Sequence, residues 1–203
     1  MIYVMLGGPA TGKGTRSEIL ADKLNIPHIS TGDILRVAAE RNNDIKQKLS
    51  KGELITDDVI NELLYIRLSR SDCKNGFILD GYPRKIDQAY ALEAMMRRLN
   101  MRITEAVELI VPRELAFKRV LERRECPKCG KSFGIDFPSM NGDNCDECGT
   151  KLIKRSDDTE ETLKKRMDAY EILSKPILDY YRKRGILRTI DSSSHPEKIL
   201  GTL

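Results

Sequence analysis

The sequence predicts an α/β fold in which a mostly parallel sheet carries helices on both faces. Two observations carry this expectation. Short apolar runs that stop at turn residues alternate with segments whose apolar residues recur at helical spacing. A glycine-rich loop, GGPATGKGT (7–15), lies between the first such run and the first such helix. The chain shows no internal repeat or low-complexity stretch that would favour another architecture.

Taken in order, IYVML (2–6) reads as a buried strand that ends at Gly7. GTRSEILADKLN (14–25) follows as a helix, with Ile19, Leu20 and Leu24 on one face. GFILD (76–80), AVELIV (106–111, ended by Pro112) and ILRTID (186–191) supply three further strands. DQAYALEAMMRRL (87–99) and ELAFKRVLERR (114–124) are helices between them, as right-handed parallel crossovers require. Residues 125–154 break the rhythm, because a loop this long has its own structure or its own function. After it, Asp158 with Glu161 three places on resembles a capping box, so a long helix is expected to start there.

The bulk properties exclude several classes. The 203 residues are 33% charged and 40% hydrophobic, as in an ordinary globular protein, and length suggests one domain with an elaborated insertion. A net charge of +4 is too small to argue for nucleic acid. No apolar run approaches the ~20 residues of a membrane span. MIYVML is too short for a signal peptide's apolar region and lacks a basic leader, so a cytoplasmic protein is expected.

Gly7, four residues, then Gly12 and Lys13 form a phosphate-binding loop in the context that motif needs, strand before and helix after. Its glycines let backbone N–H groups turn inward, and the helix presents its positive end to an anion. Lys13 can reach the outer phosphates. Gly14 stands where the motif usually has a hydroxyl, so Thr15 takes the magnesium-side position. The plain alternative is a glycine-rich turn without a ligand. The base-reading Asn-Lys-x-Asp of signalling GTPases is absent, which favours a small kinase.

The four paired cysteines, Cys126-x2-Cys129 and Cys145-x2-Cys148, are spaced as metal ligands. Four thiolates indicate zinc in a closed structural site. Two disulfides would require export, and a nucleic-acid-binding zinc ribbon would require a basic, aromatic face that the segment lacks. The fifth cysteine, Cys73, reads as a packed or surface residue.

Three further motifs join the phosphate loop: ISTGDILR (29–36), GFILDGYPR (76–84) with Gln88 four residues after Arg84, and LIKRSDDTEETLKKR (152–166). Together they resemble adenylate kinases of the bacterial long-lid type, from Met1 to about Asp191. The resemblance implies a P-loop nucleoside monophosphate kinase fold. The core would be 1–29, 56–124 and 159–203, the AMP-binding insertion 30–55, and the zinc-binding lid 125–158. It implies that ATP and AMP are converted reversibly to two ADP by a monomer, with magnesium and without nucleic acid or membrane.

The implied roles follow residue by residue. Ala10, Thr11, Gly12, Lys13, Gly14 and Thr15 would hold the ATP phosphates, with Arg119, Arg123, Ser132 and Phe133 as further ATP contacts. A small lid core is the alternative home for Phe133. AMP would meet Thr31, Arg36, Glu53, Leu54, Ile55, Gly81, Tyr82, Pro83, Arg84, Gln88, Arg155 and Arg166. Lys13, Arg84, Arg123, Arg155 and Arg166 would act on the transferring phosphate, and Asp80 with Asp33 would support magnesium through water.

The residues agree with this chemistry. Phosphoryl transfer needs positioning and charge neutralisation. A phosphate acceptor is already ionised, so no general base is needed. Arg119 and Arg123, four apart, would share one helix face, and a guanidinium grips phosphate oxygens in a fork. Two other readings stand beside this one. UMP/CMP kinases usually carry Ala at the Thr31 position, Asn at the Gln88 position and a short lid. A nucleotide-sensing or nucleic-acid-binding adaptor would bind without transferring. Gln88 can pair twice with an adenine edge, which favours AMP. Tyr82 is commonly Phe in the family, a conservative change. The turn DSSSHP (191–196) departs from the family's glycine-bearing turn and leaves the adenine contact there unplaced.

Overall fold

Chain alternation does build a parallel sheet. The computed structural model describes residues 1–50, 55–154 and 158–194, apart from the side chains of Arg41 and residues 48–50. Among them, β1 (Ile2–Gly7) leads into α1 (Lys13–Leu24), then β2 (His28–Ser30), α2 (Thr31–Arg41), α3 (Asn43–Ser50) and α4 (Asp57–Leu68). β3 (Phe77–Asp80), α5 (Ile86–Arg98), β4 (Glu105–Ile110) and α6 (Arg113–Glu122) follow. A small hairpin of β5 (Arg124–Glu125) and β6 (Ser132–Phe133) precedes the long α7 (Glu160–Lys183) and β7 (Leu187–Asp191). The five core strands run parallel in the order β2-β3-β1-β4-β7.

Alternation along the strands divides the core. Ile2, Val4, Leu6, Phe77 and Leu79 face one layer, where Leu64, Leu68, Leu92 and Tyr181 of α4, α5 and α7 cover them. Tyr3, Met5, Ile78, Val107 and Leu109 face the other, covered by Leu20 and Ala21 of α1. Covered on both faces, β1 and β3 read as continuous apolar runs, which is why they were legible. β2 was not read as a strand. Its three residues, His28, Ile29 and Ser30, are too few to carry a period, and pairing with β3 defines it.

The register aligns the carboxyl ends of β1 and β3, with Met5 opposite Asp80, and of β4 and β7, with Ile110 opposite Asp191. Open parallel sheets bind ligands along this edge. Among the segments that leave it are the glycine-rich loop after β1 and residues 81–85 after β3.

The start of α7 corrects the expected capping box. Thr159 is the N-cap, its hydroxyl accepting from Thr162 N at 3.2 Å. Asp158 lies outside the helix, fully buried, where Arg123 Nε donates to it at 2.8 Å. A guanidinium pairing in two places outcompetes a cap whose role the next residue can fill.

Candidate active site

The site begins with a backbone that only glycine tolerates. Gly12 caps α1 in a left-handed conformation, φ +75°, and a β-carbon there would lie 2.0 Å from Arg16 Nη1. The first turn of α1 carries no acidic residue, so nothing offsets its positive end. Lys13 folds back over the loop and donates to Gly7 O at 2.6 Å and Gly8 O at 2.8 Å. Thr11 closes the loop by donating to Gly8 O at 3.0 Å.

Charge gathers around Lys13. Burial pulls its pKa down to about 8, opposed by Asp80 and reinforced by Arg84, Arg166 and Arg123. Asp80 at the end of β3, Arg84 in the loop after it, Arg123 at the end of α6 and Arg166 in α7 all act electrostatically on Lys13. A β-carbon at Gly14 would lie 3.7 Å from Asp80 Oδ2, so the strand-end carboxylate faces the loop. His28 Nε2 approaches the same oxygen at 3.8 Å.

Beside it lies the loop after β3. Gly81, φ +82°, brings its backbone against Thr31, and a β-carbon there would meet Thr31 Oγ1 at 2.7 Å. Arg84 Nε donates to Gly81 O at 2.9 Å, and Arg84 N donates to Gln88 Oε1 at 2.7 Å. Tyr82 turns inward, 1% exposed, and donates its phenol proton to Asn61 Oδ1 at 2.5 Å. Pro83 lies between Tyr82 and Arg84 in this loop, and Ile55 is the first described residue before α4.

The structure separates some residues that the sequence grouped. Arg119 and Arg123 do not share a helix face, because α6 ends at Glu122 and Arg123 is its extended C-cap. Arg123 turns to Asp158. Arg119, 7% exposed, donates to Ser192 O at 2.8 Å and pairs with Asp136 of the cysteine segment at 2.8 Å. Asp33 and Arg36 pair with each other on the surface of α2. Phe133 is buried with Cys126, Cys145, Cys148 and Leu152, so the small core of the cysteine segment is its home here. Ser132 beside it is exposed. Glu53, Leu54 and Arg155 lie outside the described residues, as does His195.

Four residues escaped the sequence reading. Arg16 is 1% exposed and donates to Thr11 O at 3.2 Å and to Ser192 O and Ser194 O, both at 2.9 Å. Burial and Arg119 pull it down to about 10, and Asp136 opposes them. Asp136, Asp57 and Asn61 likewise act through contacts that no local pattern announces. The only signal for Arg16 was its position, one turn into the helix behind the phosphate loop.

The four cysteines converge. Their sulfurs all lie within 4.8 Å of one another, with Cys126 Sγ 3.4 Å from Cys148 Sγ and Cys129 Sγ 3.6 Å from Cys145 Sγ. Tetrahedral bonds of about 2.3 Å put sulfurs roughly 3.8 Å apart, so the cluster fits a zinc ion. These separations exceed the ~2.05 Å of a disulfide. Cys73 stands apart, fully buried, with Arg67 Nη1 donating to its sulfur at 3.1 Å.

Comparison with known proteins gives one answer. The family model described as adenylate kinase matches residues 5–186. An adenylate kinase of Thermotoga neapolitana is 43% identical over 196 residues, covering 94% of this chain and 89% of the relative. One from Thermodesulfovibrio yellowstonii is 40% identical over 208 residues, covering 100% and 97%. One from Clostridium kluyveri is 40% identical over 204 residues, covering 98% and 94%.

Proposed function

The chain belongs to the adenylate kinase family, and from that premise we propose which of its residues carry out the transfer. It is a phosphotransferase that moves the terminal phosphoryl group of ATP to AMP, giving two ADP, and the reaction is reversible. An oxygen of the AMP phosphate attacks the γ-phosphorus in line. The bond from that phosphorus to the β–γ bridging oxygen breaks, and its electron pair leaves with ADP. No proton need move, so the work left to the protein is positioning and charge neutralisation.

The observation that carries this reading is the charge gathered about Lys13, with Asp80, Arg84, Arg123 and Arg166 all acting on its ionisation. Lys13 releases the Gly7 and Gly8 carbonyls to take an outer phosphate. The N–H groups of Ala10 to Thr15 cradle the rest at the start of α1. Arg123, Arg155 and Arg166 spread over the transferring group, and Arg84 grips the AMP phosphate. Thr31, Gly81, Tyr82, Pro83, Gln88 and the backbone from Glu53 to Ile55 line the AMP side, with Arg36 turning inward from Asp33 when AMP binds. Arg119 and residues 132–133 lie on the ATP side.

Magnesium, bound together with ATP, would neutralise phosphate charge. Asp80, whose carboxylate faces the loop, would hold it through water, with Thr15 offering a hydroxyl and Asp33 a second carboxylate. Zinc would join Cys126, Cys129, Cys145 and Cys148 and add no reactive position, since four ligands fill it. The insertion 30–55 and the lid 125–158 close on the core 1–29, 56–124 and 159–203 to exclude water from the phosphates. We place the enzyme in the cytoplasm as a monomer. Among the described residues, no helix is long and apolar enough to cross a membrane.

The test is disproportionation. Given ADP and magnesium alone, the protein should produce ATP and AMP in equal amounts, and Lys13→Met should slow this by at least ~10³-fold. A Lys13→Met enzyme as fast as the parent would remove the loop from the mechanism.

A further inference from the structure

Gln88 is the residue through which the acceptor base would be read, and the structure holds its amide at both ends. Arg84 N–H donates to Oε1 at 2.7 Å, and Nε2 donates to Asp57 Oδ1 at 2.8 Å. The two partners are of opposite and fixed kind. A backbone N–H can only donate, and an ionised carboxylate can only accept. Lys85 Nζ sits 2.6 Å from the other carboxylate oxygen, and its hydrogen bond, ahead of that from Gln88, holds Asp57 below the usual carboxylate range. Asp57 also lies in the first turn of α4, where a negative charge is favoured. One turn on, Asn61 accepts from Tyr82, so one face of α4 braces both Tyr82 and Gln88.

Gln88 is 6% exposed, so bulk water does not compete for these bonds. Rotating the amide by half a turn would set Oε1 against the Asp57 carboxylate and the amide N–H groups against Arg84 N–H. Two hydrogen bonds would become two repulsions. In the observed orientation, one N–H and one oxygen lone pair remain for a ligand, in a fixed order. A 6-aminopurine presents a donor and an acceptor in the matching order on its N6 and N1 edge. A 6-oxopurine presents them reversed.

We propose that Asp57, held by Lys85, is a positioning residue that locks the Gln88 amide and thereby sets the preference for a 6-aminopurine over a 6-oxopurine monophosphate as phosphoryl acceptor. This rests on the reading that Gln88 meets the acceptor base.

AMP and IMP differ at that edge alone, so the readout is the ratio of their kcat/KM values, which a partial loss of folded enzyme leaves untouched. Asp57→Asn keeps the shape but offers an amide that serves either orientation of Gln88. It should lower the AMP/IMP ratio roughly ten- to a hundredfold, the worth of a charge-assisted hydrogen bond. Asp57→Ala should move the ratio the same way. In a Gln88→Leu background, Asp57→Asn should change it no further. An unchanged ratio in both Asp57 variants, with a collapsed ratio in Gln88→Leu, would overturn the lock and keep Gln88 as the reader. A Gln88→Leu enzyme with the parent's ratio would show that the base is read elsewhere, and the lock would fall with that reading.

Discussion

Lys13 shows how much one residue's environment decides. In the free protein it is a partly buried cation that feels the charge of three arginines, which is unfavourable for the fold and favourable for phosphate. Its pKa lies at about 8 in the folded chain against 10.5 for an unperturbed lysine. The folded state therefore binds fewer protons between those values. This group's cost to stability, about 3 kcal/mol, is fully present below pH 8 and is relieved as pH rises from 8 to 10.5. Bound phosphates act in the opposite direction and keep the ammonium charged. Log kcat/KM for ATP, which follows the free enzyme, should stay level up to about pH 8 and then fall with a slope near −1. A profile still level at pH 9.5 would contradict the assignment. Lys13 was legible because its motif is local. Asp57 was not, since it acts on Gln88 from 31 positions away. Arg16 was equally hidden, since it meets Ser192 across 176 positions.

Among the elements, the cysteine segment has the least apolar material. Its buried cluster consists of Cys126, Phe133 and Cys145, edged by Cys148 and Leu152, and its sheet has two residues per strand. So small a unit needs a staple. Stripping the metal with a chelator should lower the thermal midpoint by several degrees, as losing even ~1 kcal/mol does at this size, while leaving measurable transfer. An unchanged midpoint would deny the site a structural role. The ligand spacing made this element readable. The start of α7 was misread by one residue, because Asp158 is claimed by Arg123, a partner the local pattern could not reveal. β2 went unread because three residues carry no period, and α6 was read two residues too far, through Arg123 and Arg124.

For the whole molecule, the fold sets cations from separate parts of the chain around one loop. α1 supplies Lys13, the end of β3 supplies Asp80, and α6 and α7 deliver Arg123 and Arg166 from either side of the cysteine segment. That segment reaches the core through Asp136 on Arg119, so its position bears on the side of the site where we propose ATP binds. The parallel sheet was legible from its apolar runs, and the order of the four motifs pointed to the family. The gathering of charge itself was visible only in three dimensions. The central claim is that this charge serves transfer from ATP to AMP. The most direct test is ADP formation from magnesium-ATP with AMP, CMP, UMP and GMP offered separately. Rapid transfer to AMP, with kcat/KM at least ~100-fold above each of the others, is the expected result. Comparable transfer to a pyrimidine nucleotide, or none to any acceptor, would contradict it.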